Sequence, residues 1–239
     1  MAVVLAIGGL DSSCGAGVLR DAQTIQSLGH LARVAATAVT AQSDAGVLDV
    51  HPVSSATLKA QMVPASAVKI GMLCDAQRAQ TVVHAMGCHS APIVLDPVLA
   101  ASSGGPLLDA QGIETLLTEL LPMVTLVTPN LPELARLAML CGERSPEPQI
   151  QARALMARGA GAVLIKGGHA QGPSATDYLV TPRWVKTLDG PRFGGARRGT
   201  GCTLSSAIAC GLAEGRSLPE ACVLAKQTVS EQFARPATA

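Results

Sequence analysis

Aromatic side chains are scarce in this 239-residue sequence, in which phenylalanine, tryptophan and tyrosine together make up only 2%. Proteins that bind single-stranded nucleic acid stack its bases on such rings, and binding to a phosphate backbone requires an excess of clustered positive charge. The formal net charge of the sequence is only +1 at pH 7. The composition therefore predicts that nucleic acid is not a partner.

Long apolar runs and paired cysteines are also missing. No apolar run approaches the ~18–20 residues that a membrane-spanning helix requires, and the apolar residues 1–7 lack the basic segment that precedes the core of a secretory signal. The seven cysteines are odd in number, scattered and without a CxxC pair, which disfavours a disulfide framework and a structural zinc site. We therefore expect a cytoplasmic protein with no membrane partner.

Short apolar runs alternate with amphipathic stretches along most of the chain, with glycine or proline between them. This alternation indicates the α/β class, with a mostly parallel central sheet and helices on both of its faces. No long linker or repeat interrupts the pattern, so residues 1–239 are predicted to form a single domain. Predicted strands are 2–7, 32–39, 67–70, 93–95, 124–127 and 162–165, with an antiparallel pair at 176–181 and 183–188. Predicted helices are 16–28, 54–62, 75–86, 109–121, 131–140 and 147–158, and two that begin near residues 202 and 218.

The strongest local signal is a glycine-rich turn before the first of the two C-terminal helices. Gly199 and Gly201 flank Thr200, and Cys202 follows in the predicted first turn of the helix. The glycines allow backbone N–H groups to converge, and the helix dipole adds about half a positive charge, which predicts an anion hole. The same field lowers the pKa of a thiol, so Cys202 could be a thiolate that takes a proton from an alcohol. The alternative is a glycine-rich turn followed by a buried cysteine.

Two acidic residues follow predicted strands, at the sheet edge where folds of this class bind their ligands. Asp96 follows the strand at 93–95, and Glu133 lies in the TPNLPE segment after the strand at 124–127. Magnesium usually takes one or two protein carboxylates and otherwise keeps water, so both acids are candidate magnesium ligands. Asn130 and Glu133 also have the spacing of a capping box, which explains Glu133 without a metal.

Two further strand exits contain glycine. Lys166 leaves the strand at 162–165 before two glycines and His169, and it could reach a nucleotide phosphate, although such exits are also common in structural turns. Residues 8–17, GGLDSSCGAG, follow the first strand but do not match GxGxxG, and Asp11 would repel a pyrophosphate. This segment disfavours a redox dinucleotide and favours close approach of the backbone to a small substrate.

Seven segments in order resemble the hydroxymethylpyrimidine/phosphomethylpyrimidine kinases of thiamine biosynthesis, within the ribokinase-like superfamily. The resemblance runs from the first strand to the last helix and implies a three-layer sandwich. Each segment alone is a weak signal, but seven in the same order are specific. The segments are IGGLDSSCGAG at 7–17, TAVTAQS at 37–43, KIGML at 69–73, VLDPV at 94–98, TPNLPE at 128–133, KGGH at 166–169 and GTGCTLS at 199–205.

The resemblance implies an enzyme that transfers the γ-phosphate of ATP, with Mg²⁺, to hydroxymethylpyrimidine and then to its monophosphate. It also implies a homodimer. By position, the implied substrate-binding residues are Gly9, Asp21, Gln42, Met72 and Val98. The implied nucleotide-binding residues are Lys166, Asn130 and Arg198, the implied metal ligands are Asp96 and Glu133, and the implied catalytic residues are Gly199, Thr200, Gly201 and Cys202.

The sequence departs from the family pattern at two places. Arg198, preceded by Arg197, stands where many members have histidine, and an arginine there could bind a phosphate. Cys14 stands where the family has glycine, and we expect its Cβ to lie close to the substrate and to change the size of the pocket.

Three other functions compete with the kinase that the resemblance implies. A pyridoxal kinase would use the same scaffold on a similar hydroxymethyl ring. A non-catalytic paralogue that binds a nucleotide or a pyrimidine is disfavoured, because Cys202, Glu133, Asp96 and Lys166 are all present. A cysteine hydrolase is disfavoured too, since no segment offers a histidine positioned beside the thiol.

Overall fold

The computed structural model describes residues 1–43, 46–87, 89–101, 105–167, 175–190 and 198–234. Within these ranges a nine-stranded sheet is flanked by eight helices. No helix in these ranges has both the length and the apolar character to cross a membrane. The strands are β1 (Val3–Asp11), β2 (Leu31–Ser43), β3 (Gly46–Pro52), β4 (Ala67–Ile70), β5 (Ile93–Leu95), β6 (Leu126–Val127), β7 (Val163–Ile165), β8 (Asp177–Val180) and β9 (Val185–Leu188). The helices are α1 (Gly17–Ser27), α2 (Ser55–Gln61), α3 (Ala76–Met86), α4 (Ala110–Thr115), α5 (Leu131–Leu140), α6 (Pro148–Ala157), α7 (Thr200–Ala213) and α8 (Leu218–Ala234).

The sheet has the order β3-β2-β1-β4-β5-β6-β7-β8-β9, and its six central strands from β2 to β7 run parallel. Only β3 at one edge and the β8–β9 pair at the other are antiparallel. The expectation of a mostly parallel sheet with an antiparallel pair near the C-terminus is confirmed.

Two separate apolar cores cover the two faces of the sheet, which gives the three-layer arrangement. One core contains residues of α2 to α6, among them Leu58, Val82 and Leu134. The other contains residues of α1, α7 and α8, among them Ile25 and Ile208. Parallel strands need this double cover because both of their faces are apolar.

The main error of the sequence prediction lies at the β3 edge. The strands predicted at 2–7 and 32–39 extend to Asp11 and Ser43, and β3 was not predicted. These extensions run past the double-covered centre of the sheet, where exposed and buried residues mix along β2 and no residue of β3 is fully buried. A continuous apolar run therefore marks only the covered part of each strand.

A second difference concerns the segment before β6. The helix predicted at 109–121 is helical throughout, but α4 gives way to a π turn at Leu116–Leu120 and a 3₁₀ turn at Leu121–Met123. Pro122 in this last turn has no N–H to donate, so the regular α-helix cannot continue through it. The strand predicted at 124–127 is correspondingly short, at Leu126–Val127.

The order of the strands locates the ligand-binding edge. β1 lies between β2 and β4. The chain therefore goes from β1 to β2 and β3 on one side, and later continues from β4 on the opposite side of β1. In such sheets the crevice beyond the carboxyl ends of the strands, at this reversal point, receives ligands. The segments after β1, β4, β5, β6 and β7 all reach this edge.

A buried ion pair joins β4 to two helices, α1 and α7, on one face of the sheet. Lys69 of β4 donates to Oδ2 of Asp21 in α1 at 2.7 Å, and Ser206 of α7 donates to Oδ1 of Asp21 at 2.9 Å. Both charged side chains are almost without solvent contact, at 1% and 0% exposure. Burial acts to lower the pKa of Lys69, but the negative charge of Asp21 raises it above the ordinary lysine value, so the lysine is charged.

We expect Lys69→Met to lower the free energy of unfolding by about 3–5 kcal/mol, because it leaves the carboxylate of Asp21 buried without a cation. Arg216→Met is the control, since the Arg216–Glu214 pair is exposed and its loss costs at most about 1 kcal/mol. Urea denaturation measures both. The double variant Asp21→Leu/Lys69→Met should recover much of the loss. Equal losses for Lys69→Met and Arg216→Met would show that the pair does not stabilise the fold.

Candidate active site

A cavity of about 550 Å³ lies at the carboxyl edge of the sheet. It is lined by the segments that leave the central strands and by the first turn of α7. All of the residues that the sequence singled out as site residues line this cavity. They are Gly9, Asp21, Gln42, Met72, Val98, Asp96, Asn130, Glu133, Lys166, Arg198, Gly199, Thr200, Gly201 and Cys202.

The first turn of α7 has the features of an anion-binding site. Gly199 is its N-cap with a left-handed φ of 78°, and no side chain of the described residues caps the helix by a hydrogen bond. A Cβ on Gly199 would collide with the carbonyl oxygen of Gly15, so the turn requires glycine. The free N–H groups of the first turn and the dipole of the 14-residue helix together favour a negative group.

This turn contacts residues from two sides of the cavity wall. A Cβ on Gly201 would lie 3.2 Å from Oδ2 of Asp96 and 3.5 Å from Nζ of Lys166. On the other side, the backbone N–H of Gly17 hydrogen-bonds to the thiol of Cys202. The anion-binding turn therefore separates a part of the cavity near β1 from a part near β5 to β7.

The predicted thiolate at Cys202 is wrong for the site without ligands. Burial raises the pKa of Cys202 to about 11, and the positive charge of Lys69 only partly opposes this rise. The expectation rested on the field of the helix, but the partial burial of the thiol in the cavity wall is the larger effect. Cys202 is therefore a neutral thiol at pH 7.

Lys166 joins the two predicted acids. Its Nζ lies 2.7 Å from Oδ1 of Asp96 and 3.7 Å from Oε2 of Glu133. Although burial acts to lower the pKa of Lys166, these two carboxylates raise it overall. Burial in turn raises the pKa of Glu133, against the effect of Lys166. The three strand exits thus place one cation between two anions on the cavity wall.

Glu133 also caps a helix, as the capping-box interpretation of the sequence predicted. Its Oε2 accepts from the N–H of Asn130 at 2.8 Å, and Oδ1 of Asn130 accepts from the N–H of Glu133 at 2.8 Å. This reciprocal capping box fixes Glu133 at the start of α5. Its carboxylate still lines the cavity, so capping and ligand binding are compatible.

The donor set at this end of the cavity suits magnesium with a nucleotide. Asp96 and Glu133 supply carboxylate oxygens, the ligands that Mg²⁺ prefers, and phosphates and water normally supply the rest. Among the described residues, no group of three or more His, Cys, Asp or Glu side chains could hold a metal by itself. The described residues therefore fit a magnesium ion that arrives with phosphate.

The part of the cavity near β1 is lined by four uncharged predicted residues, beside charged ones such as Asp21 and Arg198. A Cβ on Gly9 would lie 2.6 Å from Sδ of Met72, so the two residues form one closely packed wall. Gln42 lies on β2 and Val98 follows β5, and both line the same space. Asp21 differs from these four, because both of its oxygens already accept from Lys69 and Ser206.

Arg198 is held on the substrate side by the segment after β1. Its Nη2 lies 2.9 Å from Oδ2 of Asp11, and its Nη1 donates to Oγ of Ser13 at 3.1 Å. Asp11 also accepts from the backbone N–H groups of Ser13 and Ala16, each at 2.9 Å. The charge of Asp11 is therefore balanced by Arg198 and shapes the loop before α1.

The expected effect of Cys14 on the pocket is wrong. Cys14 is exposed and does not line the cavity. Its φ of 58° lies in the left-handed region, which explains on backbone grounds why glycine is the usual residue at this position.

Lys69 and Arg136 also line the cavity, although neither was predicted as a site residue. A lysine inside an apolar strand is rarely buried without a partner. The AVKI strand therefore already indicated that Lys69 belongs to a buried ion pair. Arg136 lies one turn after Glu133 on α5, and its position offered no such signal. Arg197 and residues Gly168 and His169 of the KGGH segment lie outside the described residues.

Comparison with known proteins gives one consistent group of relatives. A family model described as phosphomethylpyrimidine kinase matches residues 11–238. A hydroxymethylpyrimidine/phosphomethylpyrimidine kinase of Rhizobium meliloti is 40% identical over 234 residues, which cover 94% of this chain and 88% of that protein.

Solved structures agree with the fold. A phosphomethylpyrimidine kinase from Clostridium difficile 630 superposes with a TM-score of 0.83 at 32% identity, covering 98% of this chain and all of that one. The pyridoxal kinase of Staphylococcus aureus, in complex with AMP-PCP and pyridoxal, gives a TM-score of 0.86 at 31% identity over 96% and 87% of the two chains.

The raised pKa of Cys202 predicts how the thiol reacts with iodoacetamide. Only the thiolate reacts, and its fraction rises about tenfold per pH unit at pH values far below the pKa. Peptide mass spectrometry should therefore show the alkylation rate of Cys202 rising steadily from pH 7 to pH 9, with the Cys14→Ser variant used to remove the exposed thiol. A rate that levels off below pH 9 would show that the pKa of Cys202 lies below about 9, and would support the thiolate that the sequence predicted.

Proposed function

The chain belongs to the phosphomethylpyrimidine kinase family, and on that premise we propose that it transfers the γ-phosphate of ATP to hydroxymethylpyrimidine. A second transfer to the resulting monophosphate completes its role in thiamine biosynthesis. The observation that carries the proposal is the position of the α7 turn, which lies between the two parts of one cavity. A phosphate bound there faces a nucleotide on one side and a small ring on the other.

The two parts of the cavity suit different ligands. Lys166 and the N-terminus of α7 offer positive charge to the phosphates of a nucleotide. Gly9, Met72 and Val98 offer a small, mostly apolar space for a flat ring. The side-chain amide of Gln42 can both donate to and accept from the edge of an aminopyrimidine.

The chain's own groups are arranged for a displacement at phosphorus. The substrate hydroxyl forms a new bond to the γ-phosphorus while the bond to the bridging oxygen breaks, and ADP leaves with that electron pair. Negative charge in such a loose transition state lies on the equatorial phosphoryl oxygens, and the N–H groups of residues 200–202 and Lys166 are placed to bind them. The hydroxyl proton is lost late, so the neutral thiol of Cys202 suffices as a hydrogen-bond partner and the transferred phosphate can take the proton.

In this proposal a magnesium ion binds beside Lys166. Asp96 and Glu133 would hold it, and the ion would neutralise charge on the phosphates. Lys166 is paired with the same two carboxylates and would follow the phosphates when they bind. Arg198, on the side near β1, would bind the phosphate of the monophosphate substrate rather than the nucleotide.

We further propose that the chain acts as one kinase domain in the cytoplasm and as a homodimer. The β2–β3 hairpin supports the dimer, because β3 is the edge strand of the sheet and Val39 and Leu48 expose 44% and 78% of their surface on it. Exposed edge strands with apolar side chains are natural places for another chain to pair.

The proposed activity predicts ADP formation with hydroxymethylpyrimidine and with its monophosphate, at a higher kcat/KM than with pyridoxal. ADP should be measured by chromatography, because coupling enzymes need magnesium themselves. Activity should disappear with a chelator and return with Mg²⁺. A higher kcat/KM for pyridoxal would identify a pyridoxal kinase, and no turnover of any of the three would favour a non-catalytic paralogue.

The matched variants for this experiment are Glu133→Gln and Glu119→Gln. Glutamine at position 133 can still accept from the N–H of Asn130, so the capping box survives and only the charge is lost. We expect turnover to fall about 100-fold, the scale found when one charge-stabilising group is removed. Glu119 accepts from Gln80 on the outer surface, so Glu119→Gln should leave turnover unchanged.

The proposed dimer predicts that Leu48→Lys converts the protein to a monomer. A charge at an exposed edge strand opposes pairing with a second copy. Light scattering after size exclusion should report one chain mass for Leu48→Lys and two for the unmodified protein. Met139→Lys on α5, also at an exposed apolar residue, is the control and should remain a dimer. An unmodified protein that is already monomeric would overturn this proposal.

A further inference from the structure

A buried carboxylate outside the cavity is bonded to the backbone next to Lys166. Oδ1 of Asp177, the first residue of β8, accepts from the N–H of Gly167 at 2.7 Å. Oδ2 of Asp177 accepts from Nζ of Lys226 on α8 at 2.7 Å. Asp177 is only 7% exposed, so its charge depends on Lys226 for compensation.

Gly167 is fitted closely to this arrangement. A Cβ on Gly167 would collide with the carbonyl oxygen of Thr176, the residue before Asp177. The preceding residue, Lys166, is held on the other side by its own N–H, which donates to the carbonyl oxygen of Pro129 at 2.9 Å. The backbone at Lys166 is therefore fixed from β6 on one side and from β8 on the other.

Lys226 is also closely surrounded, by two hydrogen-bond acceptors and by Gly190. Its Nζ donates to the carbonyl oxygen of Ala175 at 2.6 Å as well as to Asp177. A Cβ on Gly190 would overlap the stem of Lys226, so the absence of a side chain at Gly190 leaves room for the lysine. The N–H of Ala175 donates to the carbonyl oxygen of Gly190 at 2.9 Å, which joins the same unit to the end of β9.

We propose that Asp177 and Lys226 form a clamp that positions Lys166 for the nucleotide phosphates. Neither residue lines the cavity, so both are positioning residues that act through Gly167. The clamp rests on the proposed function, because it assigns Lys166 to the nucleotide. It predicts that nucleotide binding and transfer depend on two residues outside the cavity, on β8 and α8, while binding of the pyrimidine does not.

Binding of the pyrimidine ring is the internal comparison for this proposal, because the clamp should not affect it. Gly9, Gln42 and Met72 lie on β1, β2 and after β4, and no hydrogen bond or ion pair of Asp177 or Lys226 reaches these elements within the described residues. A shift of Lys166 by even about 1 Å is costly for a group that must meet a transferring phosphate. A loss of general stability, by contrast, would affect both substrates.

The test is steady-state kinetics of Lys226→Met, which keeps the apolar stem beside Gly190 and removes the charge. We expect KM for ATP to rise and the affinity for ADP, measured by calorimetry, to fall, each about tenfold, with KM for hydroxymethylpyrimidine unchanged within twofold. Arg78→Met is the matched control, because it breaks a similarly enclosed ion pair with Asp75 at the start of α3, an element that contains neither Lys166 nor a residue of the clamp. It should leave both KM values unchanged.

Two substitutions of Asp177 test the link through Gly167 and serve if Lys226→Met fails to fold. Asp177→Asn keeps an oxygen for the N–H of Gly167 and should raise KM for ATP about threefold, whereas Asp177→Ala removes that oxygen and should raise it more. Equal effects of Asn and Ala, or a Lys226→Met enzyme with a lower melting temperature but normal KM for ATP, would overturn the clamp. If the unmodified protein turns over no substrate, the proposed function fails instead.

Discussion

The buried ion pair between Lys69 and Asp21 is the constraint on which the arrangement of this site depends. Two charges removed from water are costly unless they meet each other in good geometry, and here they meet at 2.7 Å with Ser206 on the remaining oxygen. Because the three residues belong to β4, α1 and α7, the pair ties the second turn of α7 to the reversal point of the sheet. The anion-binding turn is thereby set above the carboxyl ends of the strands, where a phosphate can reach it.

Charge around the cavity is balanced before any ligand arrives. Lys166 is shared by Asp96 and Glu133, and Arg198 is paired with Asp11. An incoming phosphate therefore competes for cations that are already held in place, which favours a polyanion accompanied by a divalent ion over a free anion. The same enclosure that holds these pairs in order also keeps Cys202 neutral, because burial outweighs the helix field.

Much of this arrangement could be read from particular residues. Apolar runs predicted the covered centres of the strands, and the acids, glycines and lysine at their ends predicted the wall of the cavity. The β3 edge was missed because a strand with one exposed side and mixed polarity has no continuous apolar run. The partners of Asp21 and Arg198 were missed for a different reason: they lie 48 and 187 residues away along the chain, and no local pattern contains them.

The sequence by itself determined the α/β class, the order of the segments and the kinds of side chain that reach the carboxyl edge, since these follow from short-range periodicity and from strand and helix ends. Only the tertiary structure decided which charges pair and which groups lose contact with water. The Cys202 thiol illustrates the difference. The helix start that should activate it is local and visible in GTGC, whereas the burial that raises its pKa comes from α1, β4 and β5, which pack against α7. Desolvation is a property of the whole fold, so no local motif could have reported it.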